Sequence, residues 1–283
     1  MSTLETQTTA SRDSHLTGRC KFNTTSKAIE VSDGLNWLVY DNDGAALPVI
    51  TNSHSLFLDG TDDHAEVTGS SDIQISNPLT VSAWIYPTST ASPSEWRTII
   101  SWGSASGGRG RFLQLSGTSN NLTFGTYQSS VTSSTSLSLN TWYHVAATVT
   151  SGETKLYIDG SLDTTGSNTL NSFTYSKTHV GELYYSQTTA ARHFAGNIDE
   201  LALFNSVLTA DEVSQLYNFG NPFDLNSDAG NYTSSANLKA WWRMGDGTEN
   251  GLGSTIHDMS TNGSSADDLA LVNQASIDDS NAV

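Results

Sequence analysis

Between Phe194 and Leu216 the chain reads FAGNIDELALFNSVLTADEVSQL, and no other stretch limits its fold as tightly. Ile198 to Phe204 is apolar and strand-like, and Asn205-Ser206 interrupts it. Thr209-Ala210-Asp211-Glu212 then has the spacing of a capping box, in which the threonine hydroxyl and the glutamate each satisfy an orphan N–H at a helix start. A strand that feeds one brief helix, predicted near 209–218, closes a domain.

Upstream, strand signals recur at 55–59, 64–67, 79–86, 97–102, 111–116, 121–127, 142–150, 154–159, 177–182 and 197–204. Turn formers separate them: Gly103 to Gly110 is a loop, and Asp159-Gly160 marks a hairpin. Many short strands with one terminal helix predict an all-β fold, an antiparallel sandwich. Residues 1–22 have no apolar period and read as a polar arm, followed by candidate strands at Ala28 to Val31 and Trp37 to Tyr40.

Four segments in order carry a family resemblance. Gly196, Ile198, Asp199 and Glu200 fit a Gly-x-Ile-Asp-Glu signature, and Leu56-Phe57-Leu58-Asp59-Gly60 with Asp62-Asp63 fits an opening Phe-Asp-Gly strand and turn. LTVSAWIYP (Leu79 to Pro87) fits a Trp-bearing core strand, and Asn140 to Gly160 fits "Trp-x-His-Val-Ala" returning as "Leu-Tyr-Ile-Asp-Gly". Over residues 54–219 the chain resembles laminin G-like domains of the concanavalin A-like lectin/glucanase superfamily, which implies a jelly roll. Beyond the helix, Leu238 to Met244, Asp258 to Gly263 and Leu269 to Asn273 resemble the amino-terminal strands of such a domain. Their late position implies a circular permutation in which 237–273 complete the sandwich, within the chain or in a neighbour. The organisation expected is an arm with accessory strands at 1–52, a sandwich at 53–219, a linker at 220–236 and a completing segment with a tail at 237–283.

Twelve Lys plus Arg against 29 Asp plus Glu give a formal charge of -17, a field that repels nucleic acid and anionic membranes. Cys20 is the sole cysteine, so no disulfide forms within the chain. No stretch approaches the roughly 18 apolar residues of a membrane span. The first 22 residues lack the basic-then-apolar layout of a secretory signal. Together with the order of parts, which resembles virion-associated lectin-like proteins of marine phages, this points to a virion location and release by lysis. Capsid or tail proteins contacted through the arm at 1–52 are the expected partners, within a homo-oligomer or larger assembly.

The resemblance also implies where a metal would sit. Members of the family hold a structural calcium where the opening turn meets the closing strand, here Asp59, Asp62 and Asp63 with Gly196 and Asp199. Calcium wants six to eight oxygens, which carboxylates and carbonyls supply. Equally, Asp59 and Asp199 cap turns through backbone N–H groups, and both readings stand. The hydrolase branch needs two carboxyl groups about 5–5.5 Å apart. At the comparable run Asn197 and Leu201 or Ala202 occupy the glutamate positions, so an enzyme is not expected. Seven histidines from His15 to His257 show no zinc-binding spacing. Most aromatics fall inside strands and read as core, which leaves Tyr184, Tyr185, Arg192 and His193 in loops, with Arg109 and Arg111 beside the glycine loop, as ligand-binding candidates. The function expected is a non-enzymatic lectin-like decoration or adhesion protein of a phage particle that engages neighbouring structural proteins and host surface polysaccharide. The alternatives are a secreted or surface carbohydrate-binding module and a glycoside hydrolase.

Overall fold

The computed structural model describes residues 5–7, 20–23, 28–32, 37–40, 50, 52–68, 70, 73–89, 96–103, 110–117, 119–126, 128–170, 177–186, 189–244, 254–263 and 267–283, the side chains of 5–40, 68, 184–191 and 219 excepted. Four strands precede the sandwich: β1 (Glu5–Gln7), β2 (Cys20–Asn23), β3 (Ala28–Ser32) and β4 (Trp37–Tyr40). They form a sheet of their own in that order, parallel only between β1 and β2. The expected arm thus contains two short strands before residue 24, too brief and polar to leave a pattern.

Next come β5 (Ser55–Asp59), β6 (His64–Thr68), β7 (Leu79–Pro87), β8 (Arg97–Trp102), β9 (Arg111–Leu115), β10 (Asn121–Gly125) and β11 (Ser130–Ser136). These are followed by β12 (Tyr143–Val149), β13 (Glu153–Ile158), β14 (Ser161–Ser167), β15 (Lys177–Val180), a small hairpin of β16 (Leu183–Ser186) and β17 (Thr189–Ala191), and β18 (Ala195–Phe204). Helix α1 (Ala210–Tyr217) separates them from β19 (Leu238–Trp242), β20 (Thr255–Ile256), β21 (Leu269–Val272) and β22 (Ser276–Asp278). The first sheet runs β11-β10-β9-β8-β15-β6-β21-β20, and the second runs β14-β13-β12-β7-β18-β5-β22, with β19 also paired to β18. Every pairing in both is antiparallel. The late strands therefore complete both sheets within the same chain.

Alternation places the core. Leu79, Val81, Ala83 and Ile85 of β7 and Ile198, Leu201 and Leu203 of β18 point between the sheets, where they meet Leu113, Phe124 and Val180 of the first. Adjacent tryptophans of β19 divide between the faces: Trp242 enters this core, whereas Trp241 joins a second cluster outside the sheet. There Ala146, Tyr157, Ala202 and Phe204 are roofed by Val213 and Leu216 of α1 and by Phe223 and Tyr232 of the connection that follows. The helix starts as its sequence dictates: Thr209 Oγ1 accepts from Glu212 N at 3.2 Å, and Glu212 Oε2 accepts from Thr209 N at 2.8 Å.

β11 and β14 left no apolar signal because each is the polar outermost strand of its sheet. The Asp163 carboxylate of β14 accepts the backbone N–H groups of Ser134 and Thr135 in β11, at 2.7 and 3.1 Å, and so ties the two sheets at that edge. At the β13–β14 hairpin Asp159 and Gly160 both take positive φ, 47° and 71°, as a tight two-residue turn requires.

Candidate functional site

Register fixes a row of side chains on the outer face of the second sheet. Asn197 of β18 stands opposite Phe57 of β5 on one side and Tyr86 of β7 on the other. Trp142, one residue before β12, continues the row, its ring 5.5 Å from that of Tyr86. At about 4.8 Å per strand the four positions extend about 14 Å. Phe57 is 37% exposed, and Tyr86 and Trp142 are half-buried. Amides and carboxylates interleave them. Asn197 Nδ2 donates to Ser55 Oγ at 2.8 Å and Asp278 Oδ2 at 2.9 Å, while Asn281 links Trp142 Nε1 (3.2 Å) to Asn197 Oδ1 (3.1 Å). Flat apolar rings beside planar hydrogen-bonding groups form an amphipathic surface, apolar in its rings and wet at its edges. Core-filling was the expectation for Tyr86 and Trp142, and the odd positions of β7 are where the core side chains sit.

Two carboxylates border this row at a bulge in β18. Register shifts between Asp199 and Ala202, and Glu200 takes a φ of 47°. Asp199 is buried; its Oδ2 accepts from Asn52 Nδ2 and its Oδ1 from Glu200 N, both at 2.8 Å. Burial, and next the Glu200 charge, hold its carboxyl well above the usual range. Glu200 turns under β19, where Trp241 Nε1 donates to it at 2.6 Å and Arg243 Nε lies 3.6 Å away. Ser82 Oγ and His144 Nε2 stand 2.8 Å apart in the next rows, the spacing of a nucleophile and its base. His144 Nδ1 has no hydrogen-bond partner among the described residues, where a third group would orient such a base, and both side chains are buried. Burial pushes this imidazole down to about 3.

The acidic turn is assembled only in part as expected. Carboxylate oxygens of Asp59, Asp62 and Asp63 lie within 4.8 Å of one another. Asp63, buried, spends its oxygens on Asp59 N (3.1 Å) and Gln274 N (2.8 Å), and Asp59 Oδ1 accepts from Thr61 N (2.7 Å). Asp199 does not join them. The register sets Asp59 against Ala195, so Asp199 falls four residues further along β18, about 13 Å at strand rise. Gly196 serves close strand packing, since a Cβ there would lie 2.0 Å from Tyr86 O.

Of the loop candidates, Arg109 lies outside the described residues, and Tyr184 and Tyr185 contribute described backbone only, in β16. Arg111 opens β9, as the strand signal at 111–116 implied, but it is buried, 1% exposed, rather than offered to a ligand, and burial pushes its guanidinium down to about 10. Arg192 donates to Gln114 Oε1 at 3.1 Å and lies over the Trp96 ring at 5.6 Å. His193 joins a group the sequence did not suggest. On the outer face of the first sheet His64 and Glu66 of β6, Lys177 and His179 of β15, and Glu182 converge, from segments more than 100 residues apart. Glu182, 2% exposed in its side chain, sits 2.6 Å from His179 Nδ1, 3.4 Å from His64 Nδ1 and 3.7 Å from His193 Nδ1.

Comparison with solved structures finds the same architecture. A candidate carbohydrate-binding protein of Bacteroides ovatus superposes with a TM-score of 0.58 at 18% identity, over 81% of this chain and 60% of its own length. Domain 4 of an extracellular GH43 arabinanase from Geobacillus stearothermophilus, in complex with arabinotriose, gives 0.45 at 20% identity over 62% and 84% of the two chains. The CBM40 of a Ruminococcus gnavus IT-sialidase, bound to α2,3 sialyllactose, gives 0.44 at 16% over 60% and 96%. No curated protein matches this sequence. The family described as the concanavalin A-like lectin/glucanases superfamily matches residues 59–214, more than half of the 283. By that match the chain belongs to the concanavalin A-like lectin/glucanases superfamily.

Proposed function

We propose that this protein is a non-enzymatic, lectin-like binder that lays a carbohydrate along the row Phe57, Asn197, Tyr86 and Trp142. The observation that carries the reading is the register itself, which sets three accessible rings on four adjacent strand positions around the buried Asn197 amide. Sugar rings present apolar C–H faces to aromatic planes and hydroxyls to amides and carboxylates, the two chemistries that alternate here. The Bacteroides ovatus relative in fold, named as a carbohydrate-binding protein, accords with this choice of ligand. Binding without turnover accords with the bordering carboxylates: Asp199 is engaged by Asn52 and Glu200 by Trp241. A particle-borne role on a phage, as decoration or adhesion component contacting capsid or tail proteins, completes the proposal. It is supported by the resemblance of the permuted strand order to virion-associated proteins.

A glycan array probed with the full chain, repeated with Trp142→Ala and Tyr86→Ala, tests the binding. Oligosaccharide hits lost in both variants support it; hits retained in both, or release of reducing ends from a bound glycan, overturn it. Mass spectrometry of purified phage particles tests the location, and absence of the chain from them removes the virion role while leaving the binding surface intact.

A further inference from the structure

We propose that His64, Glu66 and His179 bind one divalent transition metal ion of the zinc class on the outer face of the first sheet, with Glu182 holding both histidines in position. The site does not rest on the carbohydrate reading and lies on the other sheet.

The argument starts from the strands. Ala65 and Val67 of β6 and Val180 of β15 enter the core, so their neighbours His64, Glu66 and His179 share the opposite face. β6 and β15 are hydrogen-bonded partners, with His179 directly opposite Glu66. The two imidazoles stack 5.4 Å apart at 21°. His179 Nδ1 is hydrogen-bonded to the buried Glu182 carboxylate at 2.6 Å, and His64 Nδ1, hydrogen-bonded to Asp62 O at 3.2 Å, lies 3.4 Å from the same carboxylate. An acceptor on Nδ1, carboxylate for His179 and carbonyl for His64, selects the tautomer that carries its proton there and directs the Nε2 lone pair to a ligand. Near-parallel rings with Nδ1 on one side turn both Nε2 atoms to the other, and there His179 Nε2 lies 3.6 Å from Glu66 Oε2.

One donor atom from each of His64, Glu66 and His179 lies within 4.8 Å of the other two. Zinc bonds of 2.0–2.1 Å place tetrahedral donors about 3.4 Å apart, so modest side-chain adjustment closes the set. Two imidazoles and one carboxylate suit a borderline cation and give calcium too few oxygens. A carboxylate behind a ligating histidine is the usual outer partner of such a centre, fixing orientation and raising basicity. Three protein donors leave a tetrahedral position open to an oxygen ligand. Lys177 Nζ, 2.7 Å from Glu66 Oε2, is the built-in competitor that occupies this carboxylate without the ion.

The acidic turn offers the contrast. It has oxygen donors alone, and Asp63 has both of its oxygens on backbone N–H groups. The sequence concealed the histidine site because its ligands come from residues 64, 66 and 179, with no short spacing to mark it.

The test is titration of the chelator-treated full chain with ZnCl2 and, separately, CaCl2, by calorimetry and thermal unfolding, with CoCl2 as a spectroscopic probe. Expected are one zinc bound, a rise in Tm with zinc and none with calcium, and the visible d–d absorption of four-coordinate cobalt. His64→Ala and His179→Ala each lower zinc affinity at least tenfold, and Glu182→Gln lowers it 10- to 100-fold. Lys177→Met tightens it by removing the competing ammonium. Should His179→Ala fail to fold, His64→Ala and the cobalt spectrum of the unaltered chain decide. Absence of stoichiometric zinc binding, or zinc affinity unchanged in His64→Ala, overturns the proposal, the latter by locating the ion elsewhere, for example at Cys20.

Discussion

The outer face of the second sheet is one continuous surface with two halves that meet different fates. Where β18 has passed its bulge, the outward side chains are Ala202 and Phe204, with Ala146 and Tyr157 from neighbouring strands, and the chain covers them with its own helix. Before the bulge the same strand presents Asn197 between Phe57 and Tyr86, and the helix does not reach. An apolar half must be roofed because exposed apolar area is costly. In the other half the Asn197 amide is buried by its own hydrogen bonds, and the rings of Phe57, Tyr86 and Trp142 stay in part exposed to water. The bulge at Glu200 is the boundary, and it divides a roofed half from an open half along the ten residues of one strand.

Breaking the roof has the largest expected effect. Glu212 is buried, and its carboxylate accepts from Thr209 and, across the connection, from Ser234 Oγ at 2.6 Å and Thr233 N at 3.2 Å. Glu212→Ala strands these donors and is expected to cost about 3 kcal/mol in urea unfolding, with glycan affinity of the folded fraction unchanged. A loss of affinity without loss of stability would dissolve the division.

The second test uses pH. His144 lies in the rows between the two halves, and its folded pKa of about 3 is below the 6.5 of the unfolded chain. A depressed value means that its stability contribution is complete above pH 6.5 and is lost as pH falls toward 3. At about 1.4 kcal/mol per unit, roughly 2 kcal/mol goes between pH 6.5 and 5. Asp258, which burial pushes up to about 6, acts in the opposite sense: its contribution is present below the unfolded value near 4 and is lost as pH rises through 6. Comparing His144→Gln with the unaltered chain at pH 5 and pH 7 isolates the histidine, and an identical pH response in both would show that it stays neutral at no cost.

In the open half, Trp142→Ala is expected to lower glycan affinity at least tenfold, about 1.4 kcal/mol, with less than about 1 kcal/mol lost in stability. Equilibrium titration and denaturation of the same sample check both. Smallest of all, Asn281→Ala removes the link between Trp142 and Asn197 and is expected to change unfolding by about 0.5 kcal/mol or less while altering affinity measurably. Equal, large effects on both would make the tail part of the roof.

Much of the fold was readable because its signals are local. The alternation in LTVSAWIYP, the capping box at Thr209 and the turn at Asp159-Gly160 each state their own geometry, and the late Trp241-Trp242 strand advertised a missing partner. β11 and β14 were illegible since outermost strands need no apolar face. The sites were harder, because residue type and chain spacing do not fix register. Asp199 looked like a neighbour of Asp59 and is four positions away along the strand. Arg111 looked like a ligand contact beside the glycine loop and is buried in β9. His64, His179 and His193 carry no motif, and only the pairing of β6 with β15 and the turn at Glu182 unite them.

Strand β18 gives one edge to two partners, β5 up to Ile198 and β19 from Leu201 onward. During synthesis the first is already available, whereas the second follows only after the helix and its connection have emerged. β5 in turn awaits β22, more than 200 residues later. Such distant closures are slow. A nascent chain halted before residue 238 would hold the early half of β18 zipped and the later half bare, a sticky intermediate on which a chaperone or a sister chain has an opportunity to act.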